Sequence, residues 1–399
     1  MNRVVVTGMG AVSCLGIGRR VFFDALLAGR SGIGKVAAFS ELGMTCCTGA
    51  AVDATGLPEL PRKLRRFLST PATYAWHAMR EAIDEAKLEP ASLASRRCGV
   101  VMGGNAALSE HEAALAQYHA RGIGRLSPFI VPRCMTSALP ASLAHAFGIG
   151  GRSTLVSAAC ASAAHAIGQA MELLQAGRQD VVICGGAEEL DPKSAMGFDT
   201  MGALSVTGIS RPWDTRRDGF VLGEGAGVLV LETLDHARAR GAVILAEVTG
   251  YGAATDPHDM VAPDVDGIVE AMHQAIEQAR VFPGYINAHA CSTEQGDAME
   301  WRAIERVAAR HGRAVPPVSS IKAAIGHAPG ASGAFDAIAS IAMLDAQVVV
   351  GAAVDMPDAI FAEAPIVFAK KALVFDHVLS NSFGFGGSCA SLMFARAAA

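Results

Sequence analysis

The chain has no Cys-x-x-Cys pair, and its nine cysteines are an odd count scattered from Cys14 to Cys389. That argues against a zinc site and against a secreted disulfide framework. Most of these thiols lie in apolar runs and read as small hydrophobes. Charge is scarce too: only 18% of the 399 residues are Asp, Glu, Lys or Arg, and the net charge is −5. A chain so lightly charged and half apolar is neither a disordered segment nor a nucleic-acid coat, and it suits extensively buried sheets. Membrane spans are missing despite a mean hydropathy of +0.32. The best C-terminal candidate, FDAIASIAMLDAQVVVGAAVD, is cut by Asp336, Asp345 and Asp355, well short of an apolar run of about 18 residues. The N-terminal MNRVVVTGMGAVSC imitates a signal peptide, but Gly8, Gly10 and Gly16 break any helix there. It reads as a strand over 3–7 followed by a glycine turn, in a cytoplasmic protein. A dinucleotide fingerprint is also absent, because Ser13 stands where the third glycine belongs.

What is present is alternation. Apolar runs predict strands over 3–7, 98–102, 153–157, 180–184, 226–231, 243–250, 284–288, 317–319 and 390–395. Periodic segments predict helices over 19–28, 70–87, 109–118, 137–146, 161–176, 265–280, 296–311 and 331–345. Continuous apolar strands such as DVVICGG, with small-residue helices between them, indicate sheets covered on both faces, hence an α/β fold. A weak repeat lies within it. ASAAHAIGQAMELL at 161–174 resembles ASGAFDAIASIAML at 331–344, which suggests two related halves breaking near residue 245 with two equivalent helices at the centre.

Several segments carry residues able to do chemistry. In TLVSAACASAAHAIG, Cys160 sits at the start of a predicted helix among Ala and Ser. The helix dipole there favours a thiolate, and small neighbours leave room for a substrate. A strand delivers His289 in INAHACSTEQGDAMEW, and SSIKAAIGHAPGASGAFDAI places Lys322, His327 and Asp336 around a turn entering the second repeat helix. SNSFGFGGSCAS packs Gly384, Gly386 and Gly387 around Phe383 and Phe385, a loop able to aim backbone N–H groups at a ligand.

These four motifs, in this order and spacing, resemble the β-ketoacyl-[acyl carrier protein] synthases of the thiolase superfamily. The resemblance runs nearly end to end, and EELDPKSAMGFDTMGALS and YGAATDPHDMVAP are closest to the type I branch. It implies a thiolase-like layered α/β/α/β/α fold of two pseudo-duplicated halves, 1–245 carrying the nucleophile and 246–399 carrying both histidines and the Gly-rich loop. It implies that Cys160 takes an acyl chain and condenses it with a decarboxylated malonyl unit, without metal or redox cofactor, the substrates being carried on phosphopantetheine. His289 and His327 would donate to the thioester oxygen, and the N–H groups of Cys160 and Phe385 would form the oxyanion hole. Lys322 would order His327 with Asp336 as its charge partner, and Cys291, Thr293, Phe383 and Gly384 would contact pantetheine. An acyl carrier protein would be the partner, docking on Arg62, Lys63, Arg65 and Arg66, the densest basic run in an acidic chain, with no nucleic acid or membrane involved. A homodimer is expected, or a heterodimer with a second synthase-like subunit.

The chain departs from the family pattern in places. Cys291 replaces a usual Thr, Asp336 a usual Glu and Cys389 a usual Asn, and Pro329 is unusual. None removes a catalytic group, and together they favour a specialised polyene or polyketide pathway over housekeeping fatty acid synthesis. Two rivals stand beside this reading: a non-condensing partner subunit of the chain-length-factor kind, whose mark is loss of the nucleophile, and a CoA-dependent thiolase with Cys389 as a second catalytic thiol.

Overall fold

The computed structural model describes residues 1–262 and 264–397; Pro263, the last residue of the YGAATDPHDMVAP stretch, and the terminal residues 398 and 399 lie outside them. Ten strands form the path of one sheet: β1 (Val4–Ser13), β2 (Cys98–Gly103), β3 (Ser153–Val156), β4 (Val181–Glu188), β5 (Gly225–Thr233), β6 (Ala246–Thr255), β7 (Tyr285–Asn287), β8 (Val318–Ser319), β9 (His377–Gly384) and β10 (Ser388–Arg396). Their order is β8-β7-β9-β10-β6-β1-β5-β4-β2-β3. The antiparallel pair β1–β6 is the seam. Outward from it, the two arms repeat the same pattern. On one side β1–β5 and β5–β4 are antiparallel and β4–β2 and β2–β3 parallel. On the other, β6–β10 and β10–β9 are antiparallel and β9–β7 and β7–β8 parallel.

Helices layer this sheet as the repeat suggested. Six of them frame the cavity and the surfaces around it: α1 (Thr70–Ala86), α2 (Leu108–Arg121), α3 (Ser162–Gln175), α4 (Val265–Ala279), α5 (Glu294–Arg310) and α6 (Ser332–Ala346). The repeat helices α3 and α6 pack on each other and on strands of both arms, in one cluster of buried small and aliphatic residues. Helix α1 covers the outer face of β1 and β5, and α4 covers β6 and β10. The result is helix, one arm of the sheet, the α3–α6 pair, the other arm, helix.

Three expectations need correction. β1 does not end at residue 7 in a glycine turn but runs on to Ser13, paired with β5 throughout. The glycines serve packing instead: a Cβ on Gly10 would lie 1.9 Å from the Ala78 carbonyl oxygen of α1. The same device recurs in the other arm, where a Cβ on Gly252 would lie 1.9 Å from the Ala271 carbonyl oxygen of α4. Strand β9 was not anticipated, since its Ser-Asn-Ser core lacks an apolar run. The strand expected from 243 begins at Ala246. No described helix is long and apolar enough to cross a membrane, and the signal-like N-terminus is a fully buried central strand.

Candidate active site

Cys160 follows β3 in a tight turn. Ala159 stands at φ 48°, a left-handed conformation that costs a residue with a Cβ about 1 kcal/mol or more. Ser162 holds that turn closed: its hydroxyl accepts the Ala158 N–H at 2.8 Å and donates to the Ala159 carbonyl at 2.6 Å. The Gly-rich loop after β9 approaches from the other arm of the sheet. A Cβ on Gly384 would lie 2.8 Å from the Ala158 oxygen and 2.9 Å from the Cys160 nitrogen, so only glycine admits this approach. It sets Phe385 beside Cys160, and the backbone amides of Phe385 and of Cys160 itself act to lower the thiol's proton affinity.

The expected dipole-stabilised thiolate is not what this geometry gives. Helix α3 begins two residues later, at Ser162, and Cys160 is buried. Burial pushes the thiol up to about 12, with the Glu188 carboxylate adding to it, while Lys322 and the two N–H groups pull the other way. Desolvation wins, and the resting group is a neutral thiol.

The two imidazoles come from the second half. His289 leaves β7 on a segment anchored by Glu300 of α5, which accepts the N–H groups of His289 at 2.9 Å and Ala290 at 2.7 Å and is held by Asn381 at 3.0 Å. The backbone of His327 is clamped against Val221 and Gly223 by bonds of 2.7 and 2.8 Å. The ring centroids lie 5.2 Å apart at 86°, with Phe383 edge-on to His289 and Phe220 edge-on to His327. Lys322, fully buried, pairs with Asp336 at 2.9 Å. Burial, with the Lys322 charge added, lowers His327 to about 3 and holds His289 well below the usual imidazole range. Both rings are therefore neutral at any working pH, and each carries one N–H to donate.

Lys322 acts on His327 through charge; the residue that orients the ring is Ser332. Its hydroxyl lies 3.0 Å from His327 Nδ1 and already accepts the Ala328 N–H at 3.1 Å. With that hydroxyl donating to Nδ1, the imidazole proton sits on Nε2. Sequence reasoning missed Ser332, although the repeat contained it: Ser332 to Ala328 reproduces Ser162 to Ala158, 170 positions on. It also missed Glu300 and Glu188. The latter, pushed up to about 7 by burial, accepts the Gly330 N–H at 2.7 Å and so pins the loop after His327.

Cys160, His289, His327, Phe383, Gly384 and Phe385 share one cavity of about 500 Å³, together with Cys291, Thr293 and Cys389. Met260 and Val261, both exposed, stand at its edge. Thr293 caps α5 by accepting the Gly296 N–H at 3.2 Å, and burial pushes the Cys291 thiol up to about 12. The basic residues Arg62, Lys63, Arg65 and Arg66 lie elsewhere, exposed on the turn before α1. Arg65 pairs with Glu59 at 2.7 Å, and Arg66 covers Phe67 and Phe129 at 4.9 and 5.0 Å. The Phe67–Phe129 contact sets this turn beside the segment carrying Arg121 and Arg125.

A buried thiol beside the Phe385 amide and two neutral imidazoles in one cavity define a cysteine acyltransferase of thiolase-like architecture, equipped to stabilise an enolate. Comparison with known proteins narrows this. The family model "Beta-ketoacyl synthase, N-terminal domain" matches residues 1–237, and "Beta-ketoacyl synthase, C-terminal domain" matches 245–353. The chain belongs to the β-ketoacyl synthase family. It is 39% identical to 3-oxoacyl-[acyl-carrier-protein] synthase 1 of Haemophilus influenzae over 99% of each chain. Among solved structures it resembles a β-ketoacyl synthase of Burkholderia phymatum (TM-score 0.92, 31% identity, 100% of both chains). It also resembles the ishigamide ketosynthase/chain length factor (TM-score 0.91, 30% identity, 100% of both chains).

The neutral thiol has a measurable consequence. Alkylation of Cys160 by iodoacetamide should quicken about tenfold per pH unit from about pH 6 to 9, without levelling off. A plateau below pH 8 would reveal a standing thiolate and refute the burial argument.

Proposed function

We propose that this chain is a 3-oxoacyl-[acyl carrier protein] synthase working by decarboxylative Claisen condensation, in fatty acid or specialised polyene or polyketide synthesis. The observation that carries it is the convergence of Cys160, His289, His327 and the Phe385 N–H on one cavity. The Cys160 sulfur attacks the carbonyl carbon of an acyl thioester on phosphopantetheine. The bond from that carbon to the pantetheine sulfur breaks, and the thiol's proton goes to the departing thiol. The Cys160 and Phe385 N–H groups receive the charge that builds on the carbonyl oxygen. A malonyl thioester then enters and loses CO₂. Its electron pair moves onto the thioester oxygen, where the N–H groups of His289 and His327 meet it. The resulting carbanion attacks the Cys160 thioester carbon, and the cysteine sulfur leaves and regains a proton. Every group needed is a protein side chain or amide, so the proposed chemistry draws on neither metal nor redox cofactor. The cavity walls at Cys291, Thr293, Phe383 and Gly384 contact the pantetheine arm. We also infer a cytoplasmic location and a division into halves 1–245 and 246–399, which the mirrored arms of the sheet support.

Mass spectrometry after incubation with acyl-carrier-protein thioester and with acyl-CoA tests this reading against its rivals. The carrier thioester should load Cys160. Loading from CoA alone would indicate a thiolase, and no loading a non-condensing subunit. His289→Ala and His327→Ala should still load the acyl chain yet slow decarboxylation by about 10²–10³, the usual worth of one oxyanion donor.

The carrier-protein dock is the exposed basic turn at Arg62, Lys63, Arg65 and Arg66. Its positive charge complements an acidic carrier, and such attraction acts on encounter and weakens with salt. Charge reversal at Arg62 and Lys63 should raise KM for carrier-bound substrate several-fold and leave a free pantetheine thioester unaffected. Equal loss with both substrates would remove the docking assignment.

A second copy of this chain is the expected partner subunit. Strand β3 ends the sheet with an unpaired edge, and Ser153 and Thr154 are exposed on it; two such edges joined about a two-fold axis bury both. Sedimentation should give the mass of two chains at micromolar concentration. A monomer, or a dimer formed only with a different synthase-like chain, would overturn the homodimer.

A further inference from the structure

On the outer helical layer, away from the cavity, His273 and Glu277 stand one turn apart on α4, and His311 ends α5. His273 Nδ1 and His311 Nε2 face each other at 3.1 Å. One ligand atom from each of the three residues fits within a 4.8 Å spread. We propose that His273, Glu277 and His311 form a binding site for a divalent transition-metal ion, zinc by its ligand chemistry, which staples α4 to the end of α5.

The geometry supports this on three counts. Two nitrogens bound to one zinc at ~2.0–2.1 Å stand about 3.3 Å apart when the ion is tetrahedral, close to the separation observed. The third donor lies at the i+4 position, one turn along the same helix face as His273. Its carboxylate is exposed and brings one oxygen within the 4.8 Å spread of the three ligand atoms. Imidazole and carboxylate together form a borderline donor set that suits zinc better than magnesium or calcium.

Two arginines of α5 are each paired with a carboxylate of α4. Arg310 is drawn to Glu270 and Arg306 to Asp266, both across the same helix pair. The site has no part in condensation. It fixes the outer ends of two helices whose other ends, at Ile268 and Thr293, border the cavity.

Calorimetric titration with Zn²⁺ should show one ion per chain, and saturating zinc should raise Tm by a few degrees. His273→Ala and His311→Ala should each weaken uptake at least about tenfold, a loss that even the removal of a supporting group around a metal produces. Glu277→Gln should fall between these and the parent. All three variants should keep the metal-free Tm and the condensing rate. The cavity thiols are the competing zinc ligands, and Co²⁺ separates the two cases. The site should give visible d–d bands without thiolate charge transfer, and these should vanish in the His273→Ala/His311→Ala double variant. Unchanged zinc stoichiometry in that double variant, or a thiolate band with Co²⁺, would place the metal elsewhere and end the proposal.

Discussion

A cation with no exposure to water sits at the centre of this molecule. Lys322 is buried completely and is tied to one carboxylate oxygen of Asp336. Burying an ammonium is expensive, and stripping one partner from a buried pair typically costs about 3–5 kcal/mol, because the other charge is left uncompensated. The pair is therefore a poor choice for stability alone. Its return lies in the field it imposes. Together with burial, Lys322 keeps His289 and His327 from taking a second proton, and it is also one of the few influences that lower the Cys160 thiol. One fixed charge thus biases three reacting groups toward the states the chemistry needs, neutral donors and a thiol within reach of ionisation.

Two arms of one sheet must meet closely for this to work. One arm and its loops supply Cys160 and Glu188, and the other supplies both imidazoles, Lys322 and the Phe385 amide. The meeting is made by absence of side chains. Gly384 lets the loop after β9 rest against the Cys160 turn, and the small residues of α3 and α6 bring the two central helices into contact. The arms also share a local device. Ser162 and Ser332 each accept the N–H four residues back. In one arm that hydroxyl closes the strained turn under the nucleophile; in the other it faces His327. The same bond thus supports two different groups of one cavity.

The sequence displayed those parts that depend on residue type at fixed spacing. Helix periodicity placed all six labelled helices within three residues of their ends, because amphipathic stripes are local. That the Cys160 thiol and both imidazoles meet in one cavity, with the Lys322–Asp336 pair beside them, was legible because each stands in a motif that reads without three-dimensional context. What was hidden depends on contacts across the chain. Glu188 pins Gly330 over 142 residues of separation, and Glu300 reaches back to a strand-end amide; neither looks different from a surface carboxylate in sequence. The expectation of a thiolate at Cys160 failed for a related reason. A helix start is visible in sequence, but the depth of burial that outweighs its dipole is not.

Two of the departures from the family pattern stand inside the cavity. Cys291 and Cys389 both line it with Cys160, and burial raises all three thiols to about 12. Equal raising does not make them equal nucleophiles. The backbone amides of Phe385 and of Cys160 itself both act to lower the Cys160 thiol, whereas Cys291 has the Thr293 hydroxyl in that role. Cys389 instead lies on β10 opposite Phe383, with its sulfur against the Gly387 carbonyl, an acceptor that offers nothing to a developing negative charge. A thiolate, or the oxyanion formed when it attacks, is stabilised only where donors converge. What separates Cys160 from the other two thiols of the cavity is therefore backbone placement. That placement rests on the left-handed Ala159 and on the missing side chain of Gly384, rather than on the intrinsic acidity of any cysteine.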